Sequence, residues 1–159
     1  MKNRLVIYLV ILSLVVVWCA GIIAAPLLRS AGMRAYSDDL YSFYAKVCHQ
    51  SDARSFHLQG EKIAVCHRCT AVYFGFLAGL LLMPLIGRFS GLKNPRPVLL
   101  LIISPMLLDA LLNITGVVSS SMMSRLFTGA LFGVVMPYYA LPAFTEAFVN
   151  MIQKNKKYP

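Results

Sequence analysis

The chain has 159 residues and a formal net charge of +9, and 58% of its residues are hydrophobic while only 13% are charged. Soluble domains have roughly 45–50% apolar and about 25% charged residues, so this composition, with a mean hydropathy of +0.69, indicates one membrane domain over residues 1–159. The basic residues lie in short groups at the ends of apolar runs and not along one stripe, which argues against nucleic-acid binding.

The first apolar run predicts a membrane-spanning helix over residues 5–28, directly after Lys2 and Arg4. A charged start followed by an apolar core is also typical of a signal peptide. This run exceeds the roughly 7–15 residues of a signal-peptide core, so we expect an uncleaved membrane helix.

Residues 29–68 form a polar loop that contains the three histidines and two of the four cysteines, Cys48 and Cys66. Within it, residues 37–47 predict a short amphipathic helix that begins at a capping Ser37 and ends next to Cys48. We expect this helix either to lie at the membrane interface or to pack on the rest of the protein. Its apolar residues recur at helical spacing: Tyr36, Leu40, Phe43, Tyr44 and Val47.

Two motifs in the loop carry the strongest chemical signal. Cys48-His49-Gln50 is followed by Cys66-His67-Arg68-Cys69 at the start of the next apolar run. A CxxC motif on the first turn of a helix would direct both thiols to the same side, and the helix dipole there favours thiolates. Thiolates and imidazoles at this spacing bind zinc or iron.

We predict a tetrahedral metal site formed by Cys48, His49, Cys66 and Cys69, with zinc or iron as the cofactor. His57 is an alternative fourth ligand. The same residues also permit a redox interpretation, in which Cys66 and Cys69 form a disulfide that Cys48 resolves. A purely structural site that holds the loop on the helices is a third interpretation.

Three further apolar runs predict membrane spans at residues 69–86, 98–118 and 126–148. The fold class expected is therefore an all-α, four-span membrane protein with an ordered extracytoplasmic loop. The short basic connections would be cytoplasmic, which places both termini on that side of the cell (cytoplasmic) membrane. These connections contain, besides Lys2 and Arg4, the following residues: Arg88, Lys93, Arg96, Lys154, Lys156 and Lys157.

Asp109 lies inside the predicted third span, where an unpaired carboxylate costs roughly 2.5–3.5 kcal/mol on insertion scales. Arg125 opens the predicted fourth span at the same end of the bundle, so we expect it to pair with Asp109. This pair is either structural or functional. Arg54 and Arg68 add positive charge beside the cysteines, and an anionic partner such as a lipid headgroup or a polyprenyl phosphate fits that arrangement. The candidate catalytic residues are Asp109, Arg125, Arg54 and Arg68.

The second and fourth predicted spans each contain a GxxxG motif, Gly75–Gly79 and Gly129–Gly133. Small residues at this spacing let membrane helices approach closely. We therefore expect these two spans to pack against each other.

With these residues assembled, the chain resembles the bacterial and archaeal membrane proteins grouped as domain of unknown function 2085. The resemblance covers roughly residues 48–133, and it favours His49 as the histidine ligand because His57 and His67 fall outside the motif. It implies no established activity. The matching residues are Cys48-His49-Gln50, Arg54-Ser55-Phe56, Gly60, Val65-Cys66, Arg68-Cys69, Tyr73, Gly75, Gly79, Asp109 and Arg125-Leu126-Phe127-Thr128-Gly129.

The sequence favours a metal-dependent membrane enzyme that acts at the outer interface on a lipid-linked or small anionic substrate, with membrane lipids as partners. An ion or metal transporter that uses Asp109 as a carrier is the first alternative. A thiol–disulfide redox protein and an accessory subunit with a structural metal site are the others. The sequence leaves open whether the chain forms a homo-oligomer.

Overall fold

A computed structural model describes residues 2–86, 95–116 and 121–157. The protein is 81% helical and has one small two-stranded sheet. The elements in chain order are α1 (Lys2–Ser30), α2 (Arg34–Ala45), a short 3-10 turn (Asp52–Arg54), β1 (Ser55–Leu58), β2 (Glu61–Cys66), α3 (His67–Ile86), α4 (Pro95–Ile114) and α5 (Met122–Lys157).

Three helices are long and apolar enough to cross a membrane: Leu5–Ser30, His67–Leu85 and Met122–Phe148. They confirm three of the four predicted spans. The remaining one, predicted at 98–118, corresponds to α4, whose apolar part Leu100–Ile114 is shorter than a full span. The helix stops early because Gly116, at a φ of 72°, takes a left-handed conformation that ends it. A four-span protein is therefore not confirmed.

The two GxxxG motifs pack against each other, as predicted, and join α3 to α5. Gly133 lies so close to the carbonyl oxygen of Val72 that a Cβ atom there would overlap it. A Cβ at Gly129 would lie 2.8 Å from the carbonyl oxygen of Arg68. The interface between α3 and α5 is the most extensive in the described part of the chain, and α4 packs mainly on α5.

The predicted amphipathic helix exists as α2, but it begins at Arg34 and not at Ser37. Ser37 does not cap it. Its buried hydroxyl donates a hydrogen bond of 2.9 Å to the carbonyl oxygen of Ala25 in α1. Tyr44 likewise donates to the carbonyl oxygen of Trp18, at 2.7 Å. The polar atoms of α2 thus tie its inner face to α1, while Tyr36, on the predicted apolar face, is exposed.

The β-hairpin was not expected from the sequence. β1 and β2 pair antiparallel, with Leu58 opposite Glu61. The two residues between them, Gln59 and Gly60, have φ angles of 54° and 83°. Two successive positive φ values are typical of the type I′ turn that joins strands directly, so this Gln-Gly pair was the overlooked signal.

The predicted basic connection around Lys93 lies outside the described residues. The same holds for residues 119 and 120 of the outer loop predicted at 119–124, and the rest of that loop is Ser121 and the start of α5. The structure therefore leaves the predicted orientation in the membrane as a prediction.

Candidate metal centre

Three cysteine thiols meet where the loop joins α3. Cys48 follows α2, Cys66 is the last residue of β2, and Cys69 lies on the first turn of α3. Their Sγ atoms all lie within 4.8 Å of one another. We call these three residues the thiol centre. The fourth cysteine, Cys19, is buried in α1 and does not belong to it.

The sequence placed both Cys66 and Cys69 on the first turn of a helix, and only Cys69 is there. Cys66 ends the strand, and its backbone N–H donates a hydrogen bond of 3.2 Å to Sγ of Cys48. Amide hydrogen bonds of this kind favour thiolate sulfur. Hydrogen bonds from the thiols of Cys48 and Cys69 lower the pKa of the Cys66 thiol. The hydrogen bonds of the thiol centre therefore favour one negative charge, on the sulfur of Cys66.

Gln50, the third residue of the Cys-His-Gln motif, fixes the backbone that carries Cys48. It has a φ of 47°, an uncommon conformation for a residue with a side chain. Its side-chain amide donates to the carbonyl oxygen of Tyr41, at 2.7 Å, and its own carbonyl oxygen accepts from Lys62, at 3.1 Å. These bonds connect the motif to α2 on one side and to β2 on the other. The sequence contained this residue, but its role was missed.

Aromatic rings pack beneath the thiol centre. Trp18 of α1 lies 5.3 Å from the ring of Tyr44 and 5.6 Å from that of Tyr73. Tyr73 lies one turn beyond Cys69 on α3. Cys48 is 7% exposed and belongs to the buried core that also contains Ile22 and Tyr44. The centre is thus enclosed by apolar residues on its inner side.

The three histidines lie apart from the sulfur group. His49, the predicted fourth ligand, is exposed. Among the described residues, the group of ligand atoms within 4.8 Å consists of three sulfurs and includes no imidazole. His57 lies 3.3 Å from the carboxylate of Asp52, and His67 packs edge-on against Phe56. Ligation by His49 therefore stays a prediction.

Asp109 forms its ion pair with Arg68 and accepts a second hydrogen bond from the hydroxyl of Ser124. The sequence had predicted Arg125 as its partner. α5 begins only at Met122, so Ser124 and Arg125 both lie on its first turn, and the backbone places the Ser124 hydroxyl on the carboxylate. Arg125 is nevertheless close enough for its charge to interact with Asp109, Arg54 and Arg68.

A further polar contact joins the loop to the end of α4. The guanidinium of Arg54 donates a hydrogen bond of 3.4 Å to the side-chain oxygen of Asn113. We call the whole group the arginine cluster. It consists of Arg54, Arg68, Asp109, Asn113, Ser124 and Arg125.

The arginine cluster and the thiol centre lie at the same end of the bundle, because Arg68 stands between Cys66 and Cys69. Asp109 is five residues before Ile114, the end of α4, or about 8 Å at 1.5 Å per residue. It is therefore close to a helix end and not midway through a span. This position does not support the alternative in which Asp109 carries an ion midway through the membrane.

One cavity of about 180 Å³ lies between α1, α3 and α5. Its lining is entirely apolar, and Phe76 within it is about 10 Å along α3 from Cys69. It is not a polar pocket and is not part of the site. Its lining residues are Ile11, Phe76, Leu80, Ala140, Leu141 and Phe144.

Comparison with known proteins identifies the family. The family described as "Predicted membrane protein (DUF2085)" matches residues 48–139, which is more than half of the chain. The chain belongs to this family. An uncharacterised protein of Methanocaldococcus jannaschii is 33% identical over 145 residues, which cover 87% of this chain and 93% of that relative. No solved structure matches the chain significantly.

The family match confirms the resemblance predicted from the motifs. It begins at Cys48 and contains the hairpin, the whole of α3 and the first turns of α5. Both the thiol centre and the arginine cluster therefore lie within the part of the chain that defines the family. α1, which provides Trp18, and the basic carboxyl-terminal end lie outside it.

Proposed function

We propose that this protein is an integral-membrane metalloprotein whose thiol centre binds zinc or iron at the membrane interface. The observation that carries the proposal is the convergence of Cys48, Cys66 and Cys69 from three separate elements, with every Sγ within 4.8 Å of the others.

The geometry fits a soft or borderline ion. Zn–S bonds of about 2.3 Å at tetrahedral angles place the sulfurs roughly 3.8 Å apart, so little movement would be needed to close the three thiols on one ion. The backbone amide of Cys66 already donates a hydrogen bond to Sγ of Cys48, and hydrogen bonds to the ligand atoms commonly orient the ligands of metal sites.

The fourth position decides between two roles. Structural zinc sites have four protein ligands, whereas catalytic sites keep three and leave one position for water or substrate. His49 follows Cys48 directly in the chain and is exposed, so it is the candidate for the fourth ligand. Replacement His49→Ala should remove the metal if His49 completes a closed structural site, and should leave it bound if the fourth position is open.

The arginine cluster favours the catalytic role and an anionic substrate. Arg68 joins the two groups directly, because its backbone lies between two thiol ligands while its side chain pairs with Asp109. We propose a metal-dependent enzyme that acts on a lipid-linked or small anionic substrate at this interface. When bound, the ion would polarise a substrate oxygen or a water, and the arginines would hold the anion in place.

The test is elemental analysis of the full-length protein, purified anaerobically in detergent. Wild type should carry about one metal ion per chain, and Cys66→Ser and Cys69→Ser should carry almost none, because a hydroxyl replaces a thiolate ligand poorly. Cys19→Ser is the matched control, since Cys19 is a buried cysteine outside the thiol centre, and it should keep the metal.

A thiol–disulfide function is the second candidate, because three thiols this close also suit disulfide exchange. Absence of metal from the wild type, together with a Cys66–Cys69 disulfide found by mass spectrometry, would replace the metal proposal with the redox one.

We further propose that both termini face the cytoplasm and that the thiol centre faces outward. This orientation requires α4 to cross the membrane, because three crossings would put the termini on opposite sides. In a variant without native cysteines, a single cysteine at residue 119 should react with an impermeant maleimide added to intact cells, and one at Lys93 should not. Reaction at Lys93 from outside would reverse the orientation.

A further inference from the structure

The arginine cluster contains more positive than negative charge. It contains three guanidiniums and one carboxylate, of which Arg68 and Asp109 form an ion pair, and Asn113 and Ser124 are neutral. Three thiolates around a divalent ion would add one negative charge nearby, which still leaves an excess of positive charge. The amino ends of α3 and α5 also point here, and each contributes a partial positive charge that is only partly offset by the carboxyl end of α4.

One donor of the cluster has no acceptor. The Nε of Arg68 is fully buried and makes no hydrogen bond within the part of the chain that the structure describes. Buried donors without acceptors are rare in folded proteins, because each one costs the hydration it has lost. An oxygen atom from a ligand would satisfy it once the side chains that cover it move aside.

The cluster is also accessible. Arg54 is exposed, and Arg125 and Asn113 are partly exposed. Large apolar side chains of the neighbouring helix ends are exposed beside it, namely Ile114 at 81%, Met123 at 71% and Phe127 at 71%. Apolar surface next to a charged group is typical of the level at which lipid headgroups begin.

We propose that the arginine cluster binds a phosphoryl group through the guanidiniums of Arg54, Arg68 and Arg125. Guanidinium groups match the oxygens of a phosphate in a bidentate manner, and several of them suit a doubly charged tetrahedral anion better than a carboxylate. Asp109 acts as a positioning residue, since it holds Arg68 and contacts Ser124. This inference deepens the proposed function by naming the substrate class, and it rests on that proposal only for the nearby metal.

The experiment measures phosphate binding by the full-length protein from two sources. In the first arm, inorganic phosphate is titrated calorimetrically into protein held in phosphatidylcholine nanodiscs. In the second, detergent-solubilised protein is mixed with dioleoyl phosphatidic acid, and the bound lipid is counted by native mass spectrometry. Saturable binding in the first arm identifies a free phosphate ligand, and binding in the second arm alone identifies a lipid-borne phosphoryl group.

The variants are Arg54→Gln and Arg125→Gln, with Arg34→Gln as the matched control, because Arg34 is an exposed arginine at the start of α2. Losing one charge-assisted hydrogen bond should weaken binding by about tenfold in each cluster variant. The control should stay within about twofold of wild type, because Arg34 is not a member of the arginine cluster and salt screens the charge of an exposed side chain. Since Arg54 is exposed, its replacement keeps the fold, and Trp18 fluorescence checks the fold of Arg125→Gln.

Absence of saturable binding in both arms would overturn the inference, and so would an equal loss in Arg34→Gln. Wild type treated with a chelator separates this inference from the proposed function. Phosphate binding that persists in a protein found to hold no metal would leave the phosphoryl site standing and remove the metal proposal. Bound metal without saturable phosphate binding would leave the metal proposal standing and remove the phosphoryl site.

Discussion

The ion pair between Arg68 and Asp109 offers a quantitative test of how the arginine cluster is held together. Replacement Arg68→Gln removes the ion-pair partner of Asp109, whose carboxylate keeps the hydrogen bond from the Ser124 hydroxyl and the nearby charge of Arg125. The side chains of Arg68 and Asp109 are only 21% and 11% exposed, so both charges are largely removed from water.

Breaking a fully buried pair by removing one partner costs about 3–5 kcal/mol. The remaining exposure and the Ser124 hydroxyl reduce that cost, so we expect Arg68→Gln to lower the free energy of unfolding by about 2–3 kcal/mol. The double replacement with Asp109→Asn should cost less than the sum of the single ones, because it leaves no unpaired carboxylate. The coupling energy should be about 1.5–2 kcal/mol.

The assay is reversible unfolding of the full-length protein in mixed micelles with increasing fraction of sodium dodecyl sulfate. Trp18, the single tryptophan, is a suitable fluorescent probe because it packs against Tyr44 and Tyr73 between α1, α2 and α3. A parallel cycle with Arg125→Gln and Asp109→Asn serves as the comparison. A coupling energy below about 0.5 kcal/mol for Arg68, or a larger one for Arg125, would refute the assignment of the pair.

Two further predictions concern packing and use the same unfolding assay. Gly133→Ala should lower the free energy of unfolding by about 1–3 kcal/mol, because the added Cβ would overlap the carbonyl oxygen of Val72. Met123→Ala is the control and should have little effect, because Met123 is exposed. Equal values for the two would mean that α3 and α5 do not approach closely at Gly133. Ser37→Ala should lower the free energy of unfolding by about 1 kcal/mol, because the buried carbonyl oxygen of Ala25 loses a hydrogen-bond donor. Ser42→Ala is the control and should change it very little, because Ser42 is exposed on the same helix. A larger loss for Ser42→Ala would show that α2 does not dock on α1 through Ser37.

The site could be predicted from sequence to the extent that its signals are local. Residue type and spacing were enough to predict Cys48 and the Cys66–Cys69 motif as candidate metal ligands. Because Cys66 and Cys69 are three residues apart and Cys48 lies in the preceding loop, the chain itself keeps them near one another. The fourth ligand did not follow from spacing, because the direction of the His49 side chain depends on a loop conformation that no spacing rule describes.

The partner of Asp109 depends on how separate helices pack, and the sequence predicted it incompletely. An unpaired carboxylate is costly in hydrocarbon, so the position of Asp109 in an apolar run correctly predicted a charged partner. Arg68 and Arg125 were both available at the same end of the bundle. Spacing along the chain does not show which of the two lies nearer the carboxylate. In the folded chain Arg68 forms the ion pair, and the charge of Arg125 also acts on Asp109.

Hydropathy, basic residues and glycine spacing therefore determined, from the sequence alone, that this is a membrane protein with long apolar helices and that α3 packs on α5. The first property depends on the free energy of transferring each apolar segment into lipid. The second depends on the glycines, which have no side chain and so let the two helices approach closely. The tertiary structure alone decided that Ser37 docks α2 on α1, that Gln50 ties the Cys-His-Gln motif to α2 and β2, and that Arg68 pairs with Asp109. Each of these results depends on how separate segments are positioned relative to one another, and that position is fixed by packing across the whole bundle and not by any one segment.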